Sequence, residues 1–164
     1  MGKKVAYVEL NTTNQICTLT RNRKNAPFSY IGIRIFPCIT VTSLSEILAL
    51  DFDYFVLDMG ILNTYTSKEF FKCNKRFIVS SLCKWKKEYH LEKMKSLLSK
   101  SNQTEKDVTI ICNLCTKKSS PSMISFPFIE NPFHLKPSVF HAFYQILERQ
   151  YKPKNDFNKL YGKR

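Results

Sequence analysis

An aspartate closing an apolar run is the first place in this sequence where residue type and position suggest chemistry. Asp58 follows Tyr54-Phe-Val-Leu57, and Gly60 comes two residues later. Glu9 and Asn11 close a similar run that starts at Val5, and Asn113 closes Val108-Thr-Ile-Ile-Cys112. Carboxylate and amide oxygens at adjacent strand ends suit a magnesium ion and a water beside phosphates, because hard cations take oxygen donors and keep several waters. Each residue also has a plainer reading. Asp58 before Gly60 can form a turn. Glu9 and Asn11 can cap a helix, and Asn113 can end its strand in a turn. Spacing alone leaves both readings open at every position.

The elements that would position these residues alternate along the chain. Val5–Leu10, Tyr30–Ile35, Tyr54–Leu57, Arg76–Ser80, Val108–Cys112 and Met123–Phe126 read as strands, and Ile39–Thr42 as a short one. Capping-box spacing at Thr12–Gln15, Ser43–Glu46 and Thr66–Glu69 opens three helices, the second with Leu44, Ile47 and Leu48 on one face. The stretch from Lys84 to Lys100 carries Leu91, Met94 and Leu98 at helical spacing. A last helix opens at Pro137, with Phe140, Phe143, Tyr144 and Leu147 at i, i+3, i+4 and i+7. Near-continuous apolar strands separated by helices imply an α/β fold, a mainly parallel sheet with helices on both faces. In such sheets ligands sit at the carboxyl ends of strands, where Glu9, Asn11, Asp58 and Asn113 fall.

Composition narrows the class. The 164 residues suit one domain, expected over 1–150, with a basic polar tail over 151–164. Hydrophobic residues make up 43%, which is enough for a core. No apolar run is long enough to span a membrane or serve as a signal peptide, so the expected location is the cytoplasm. The six cysteines then read as reduced thiols, and Cys112-Asn-Leu-Cys115 lacks the second pair a zinc site needs. The net charge of +13 is spread along the chain. It allows a nucleic-acid partner, but no DNA-reading or RNA-reading motif accompanies it. Trp85 among Lys84, Lys86 and Lys87 reads as helix packing, with a membrane or partner contact as the alternative.

Taken in order, these segments resemble the ParA/MinD-type P-loop NTPases. Gly2-Lys-Lys-Val-Ala-Tyr-Val-Glu-Leu-Asn11 is similar to the strand that follows the P-loop helix and ends in an acidic pair. Phe52-Asp-Tyr-Phe-Val-Leu-Asp-Met-Gly60 resembles the Walker B-like strand. Asn74–Ser81 resembles the next strand, Thr109–Asn113 the strand whose terminal Asn reads adenine, and Phe126-Pro-Phe128 the base-pocket turn. The resemblance covers about residues 2–150. It implies ATP and magnesium as ligands, with Asp58 holding magnesium through a water beside Gly60. It also implies that Glu9 and Asn11 lie near the attacking water and that Asn113 bonds the base. Asn11 stands where the family has a second acid, which weakens hydrolysis.

The sequence departs from the family most in its glycines. It has four, Gly2, Gly32, Gly60 and Gly162, and no Gly-x-x-Gly-x-Gly-Lys-Thr-like segment to cradle phosphates. The expectation is therefore an N-terminally truncated or degenerate relative that binds no nucleotide by itself and catalyses no hydrolysis. Such a chain would be marginally stable, oligomeric or supported by a protein partner. Two other functions compete. A receiver-like signalling domain would use Asp58 as phosphoacceptor, but its first strand should end in paired acids. A basic nucleic-acid-binding protein would use Arg21, Arg23, Lys24 and the tail.

Overall fold

The computed structural model describes residues 2–22, 25–61, 63–80, 92, 96, 99, 108–113, 123–126, 129 and 136–151. The chain divides into two compact units, Met1–Cys73 and Asn74–Arg164.

The first unit holds a four-stranded sheet in the order β2-β3-β1-β4, formed by β1 (Val5–Glu9), β2 (Phe28–Tyr30), β3 (Ile33–Phe36) and β4 (Tyr54–Asp58). β1 runs parallel to β3 on one side and to β4 on the other, while β2 is antiparallel to β3. β1 is central in this sheet, and its Ala6, Val8 and Glu9 are fully enclosed, while Val5 and Tyr7 are half-buried. Ala6, Val8, Leu10 and Phe36 form a core with Leu44 and Ile47 of α2 (Val41–Leu48), and Phe52, Phe55, Leu57 and Met59 pack against it. Phe52 meets both Phe36 and Phe55 edge to face, at centroid distances of 6.2 and 5.7 Å. Burying Leu44 and Ile47 stabilises this arrangement by about 1.5–3 kcal/mol each.

Several local expectations change here. The strand expected over Tyr30–Ile35 is a hairpin, because Ile31 and Gly32 turn the chain with φ of 48° and 77° between β2 and β3. Two central residues at positive φ are what a two-residue turn between right-twisted strands requires. The short strand expected at Ile39–Thr42 is absent, since Val41 already begins α2. The spacing at Ser43–Glu46 thus lies inside the helix. Thr40 is the cap position and makes no side-chain cap hydrogen bond. The face carrying Leu44 and Ile47 decides where the helix lies, whereas Leu48 is exposed. The third helix, α3 (Ser67–Lys72), starts after Thr66 as expected, but Thr66 makes no side-chain cap bond. The Asn63 carbonyl accepts the Ser67 N–H at 3.0 Å, and the Asn63 side chain fastens the turn before the helix. Its Oδ1 accepts the N–H groups of Tyr65 and Thr66 at 2.9 and 3.0 Å. α3 stops one residue before Cys73 and buries Phe70.

The second unit holds a parallel three-stranded sheet in the order β5-β6-β7, from β5 (Phe77–Ser80), β6 (Thr109–Asn113) and β7 (Met123–Phe126). Its last helix, α4 (Pro137–Tyr151), carries the expected stripe of Phe140, Phe143, Tyr144 and Leu147, the Leu147 side chain lying outside the described residues. The structure buries Val139, Ala142 and Ile146 instead, and leaves those three aromatics exposed. Both stripes have helical spacing, and the smaller side chains admit closer packing. Phe143 still meets Phe126 of β7 edge to face at 5.0 Å. Glu92, Ser96 and Ser99 are helical. The remainder of the helix expected over 84–100, Trp85, the base-pocket turn after Phe126, Cys115 and the tail beyond Tyr151 lie outside the described residues. Among the described residues, no helix is long and apolar enough to cross a membrane.

Candidate functional site

Parallel pairing sets Glu9 directly opposite Asp58, at the carboxyl ends of β1 and β4. Backbone bonds fasten the two ends together, with the Leu10 N–H donating to the Asp58 carbonyl at 2.7 Å. Asn11 adds a second tie, because its Nδ2 donates to the same carbonyl at 3.1 Å. Its Oδ1 accepts from the Thr13 N–H at 2.9 Å and from the Thr13 hydroxyl at 2.6 Å, closing an Asx-type turn. An aspartate at position 11 would lack the N–H that reaches Asp58. Gly60 has φ of 58°, and a Cβ there would lie 3.2 Å from the Cβ of Asn11. Only glycine fits that close approach without strain.

Glu9 is fully buried, and its carboxylate is committed on both oxygens. Oε1 accepts the N–H groups of Gln15 at 2.8 Å and Ile16 at 3.2 Å, in the first turn of α1 (Gln15–Leu19). Oε2 accepts the Cys38 N–H at 3.3 Å and the Cys38 thiol at 3.7 Å. The capping box expected at Thr12–Gln15 does not form. Asn14 occupies the cap position in a left-handed conformation with no side-chain cap bond, and Glu9 replaces it. Burial and the Glu9 charge push the thiols of Cys17 and Cys38 above the ordinary cysteine range.

Asp58 differs from Glu9 in being half-buried, and each of its oxygens accepts one hydrogen bond. Oδ1 takes the Gly60 N–H at 2.9 Å, and Oδ2 takes the Tyr7 hydroxyl at 2.6 Å. A carboxylate oxygen has about two acceptor sites, so one remains on each. The described ion pairs use Asp51, Asp53 and Glu69 with Lys4, Lys3 and Lys72. Among the described residues, Glu9 and Asp58 take hydrogen bonds from uncharged donors only. In a chain of net charge +13 that is an unusual circumstance for two carboxylates. No described cation therefore pairs with Asp58 at the strand ends.

Four of the five residues singled out in the sequence, Glu9, Asn11, Asp58 and Gly60, therefore meet in the first unit. Asn113 ends β6 in the second unit, paired with Phe126, and its side chain lies outside the described residues. Among the described residues, no group of three or more His, Cys, Asp or Glu side chains is placed to hold a metal ion. A cation at Asp58 would thus be held largely through water. A separate hollow of about 530 Å³, lined by Asn14, Cys17, Thr18, Arg21 and Asn22, contains none of the five. Sequence reasoning missed Tyr7 and Cys38, which hold the two carboxylates. The available signal for Tyr7 was a polar-tipped ring two residues before Glu9 in an otherwise apolar strand.

No family model matches this chain, and no curated protein matches it. Among solved structures, the chain is similar to a plasmid partition protein from Borrelia burgdorferi B31 bound to AMPPNP. The TM-score is 0.62 over 90% of this chain and 86% of that one, at 15% identity. This likeness establishes a shared fold, a mixed α/β architecture whose sheet strands are mostly parallel.

Proposed function

We propose that this chain is a ParA/MinD-like nucleotide-switch protein, or a degenerate relative of one, that does not hydrolyse ATP by itself. The observation that carries this reading is the pairing of Glu9 with Asp58 at the carboxyl ends of parallel strands, with no cation among the described residues paired to Asp58. The likeness to a partition protein solved with AMPPNP supports it.

In this reading Asp58 holds a magnesium ion through a water. Its two remaining acceptor sites and the oxygen character of the donors fit a hard, hydrated cation. Magnesium would neutralise phosphate charge there. Gly60 lets the backbone turn tightly beside Asn11. Glu9 and Asn11 occupy the position of the attacking water's neighbours, yet their polar atoms already serve Gln15, Ile16, Cys38, Thr13 and the Asp58 carbonyl. Those commitments leave neither residue a free polar atom for an attacking water, which supports a switch without hydrolysis. Exposed Tyr54, Val56, Phe140 and Tyr144 support contact with a protein partner or a second copy.

Calorimetric titration of the chain with AMPPNP and magnesium tests this reading, with phosphate release from ATP measured alongside. Magnesium-dependent AMPPNP binding that Asp58→Asn removes, with no phosphate release, is the expected result. Equal behaviour of wild type and Asp58→Asn would overturn it.

A further inference from the structure

Tyr7 faces Asp58 from the neighbouring strand. It pairs in register with Val56, so Asp58 lies one strand over and two residues further along the same face. Two residues of strand span about 6.6 Å, which a tyrosine ring lying along the sheet can reach. The hydroxyl accordingly donates to Oδ2 at 2.6 Å, a short bond of the charge-assisted kind. The second oxygen is held by the Gly60 N–H. The terminal torsion of an aspartate is broad, and one donor would leave it free to swing. Two donors, one on each oxygen, select a single orientation.

The geometry points to Tyr7 as a positioning residue that aims the Asp58 carboxylate at a hydrated divalent cation. The inference rests on the proposed magnesium role of Asp58. A phenol suits the task because it fixes the carboxylate without neutralising it. A lysine at position 7 would pair with the charge and repel the cation. The face around this pair is open, with Tyr54 and Val56 on β4 being 54% and 51% exposed. A hydrated ion therefore has room to approach.

The test uses Mn²⁺ as the probe, titrated by electron paramagnetic resonance into the full chain with and without AMPPNP. Wild type, Tyr7→Phe, Asp58→Asn and the double variant are compared. Tyr7→Phe should weaken Mn²⁺ binding by about 10-fold or more, the usual loss when a ligand's outer partner is removed. Tyr7→Phe should still melt cooperatively, at a temperature lowered by the lost hydrogen bond, so that the weakened metal binding is read on folded protein. In the Asp58→Asn background the same change should do nothing further, since its effect passes through that carboxylate. Magnesium should also perturb the near-ultraviolet tyrosine spectrum of wild type but not of Tyr7→Phe. Wild-type Mn²⁺ affinity in Tyr7→Phe, with a loss in Asp58→Asn, would overturn the positioning role and leave the site intact. No Mn²⁺ binding by wild type beyond that of Asp58→Asn would overturn both.

Discussion

Replacing Glu9 separates a structural carboxylate from a reacting one. Its oxygens accept three backbone N–H groups, from Gln15, Ile16 and Cys38, at 2.8, 3.2 and 3.3 Å. Gln15 is exposed and can turn to water, whereas Ile16 and Cys38 are partly buried and cannot do so freely. Leaving those two unsatisfied costs about 1–3 kcal/mol each, so Glu9→Ala should lose about 2–6 kcal/mol. Glu9→Gln keeps the shape and one acceptor. Its amide nitrogen must then face either Cys38 or the start of α1, donor against donor, at a cost of about 1–3 kcal/mol. Domains of this size are stable by about 5–15 kcal/mol, so both changes are large enough to measure. Urea unfolding gives the stability change, and amide exchange localises it. The N–H groups of Ile16 and Cys38 should lose protection in Glu9→Gln, while those of β7 keep theirs. A Glu9→Gln unfolding midpoint within about 0.5 kcal/mol of wild type would refute the capping role.

Three further outcomes follow from the first unit. Ile31 is a β-branched residue at φ 48° and 68% exposed, so Ile31→Asn before Gly32 should stabilise by about 1 kcal/mol. A melting temperature that stays level or falls would contradict that. Gly60→Ala forces a Cβ to within 3.2 Å of Asn11 at φ 58° and should destabilise by about 1–2 kcal/mol, read as a lower urea midpoint. The Lys4 N–H, then the Lys3 ammonium, hold the Asp53 carboxyl below the ordinary aspartate range. A depressed value favours the folded state above the unfolded pKa of about 4, and that contribution disappears as pH falls through the folded value. Asp53→Asn should therefore show a shallower loss of stability below about pH 4, and an unchanged acid slope would refute the linkage.

The strand ends were legible in the sequence, because apolar runs closed by Glu9, Asp58 and Asn113 mark both the strands and their carboxyl ends. Parallel order was legible too, from helices between strands. The partners of those ends were not. Glu9 serves α1 at six and seven residues' distance and Cys38 at 29, and no local pattern encodes the second of these. The same limit explains the caps. Capping-box spacing assumes that a helix start is satisfied by its own neighbours. Here Glu9 from a strand satisfies the start of α1, and the Asn63 carbonyl, outside the expected box, accepts the first N–H of α3. On α4 two stripes with equal helical spacing competed, and periodicity cannot say which one meets a sheet.

Glu9 and Asp58 show how one motif divides into two roles. Both close parallel strands, both lie opposite each other, and neither has a described cationic partner. What separates them is the number of donors within reach. Glu9 meets an incoming helix turn and a loop, which use four donors and bury it completely. Asp58 meets a glycine turn and one phenol, which orient it without saturating it. A carboxylate with every oxygen lone pair engaged can only hold the chain together, while one oriented by two donors keeps acceptor capacity for a ligand. Asp58 therefore keeps acceptor capacity that Glu9 has lost, with the Tyr7 hydroxyl and the Gly60 N–H each holding one of its oxygens.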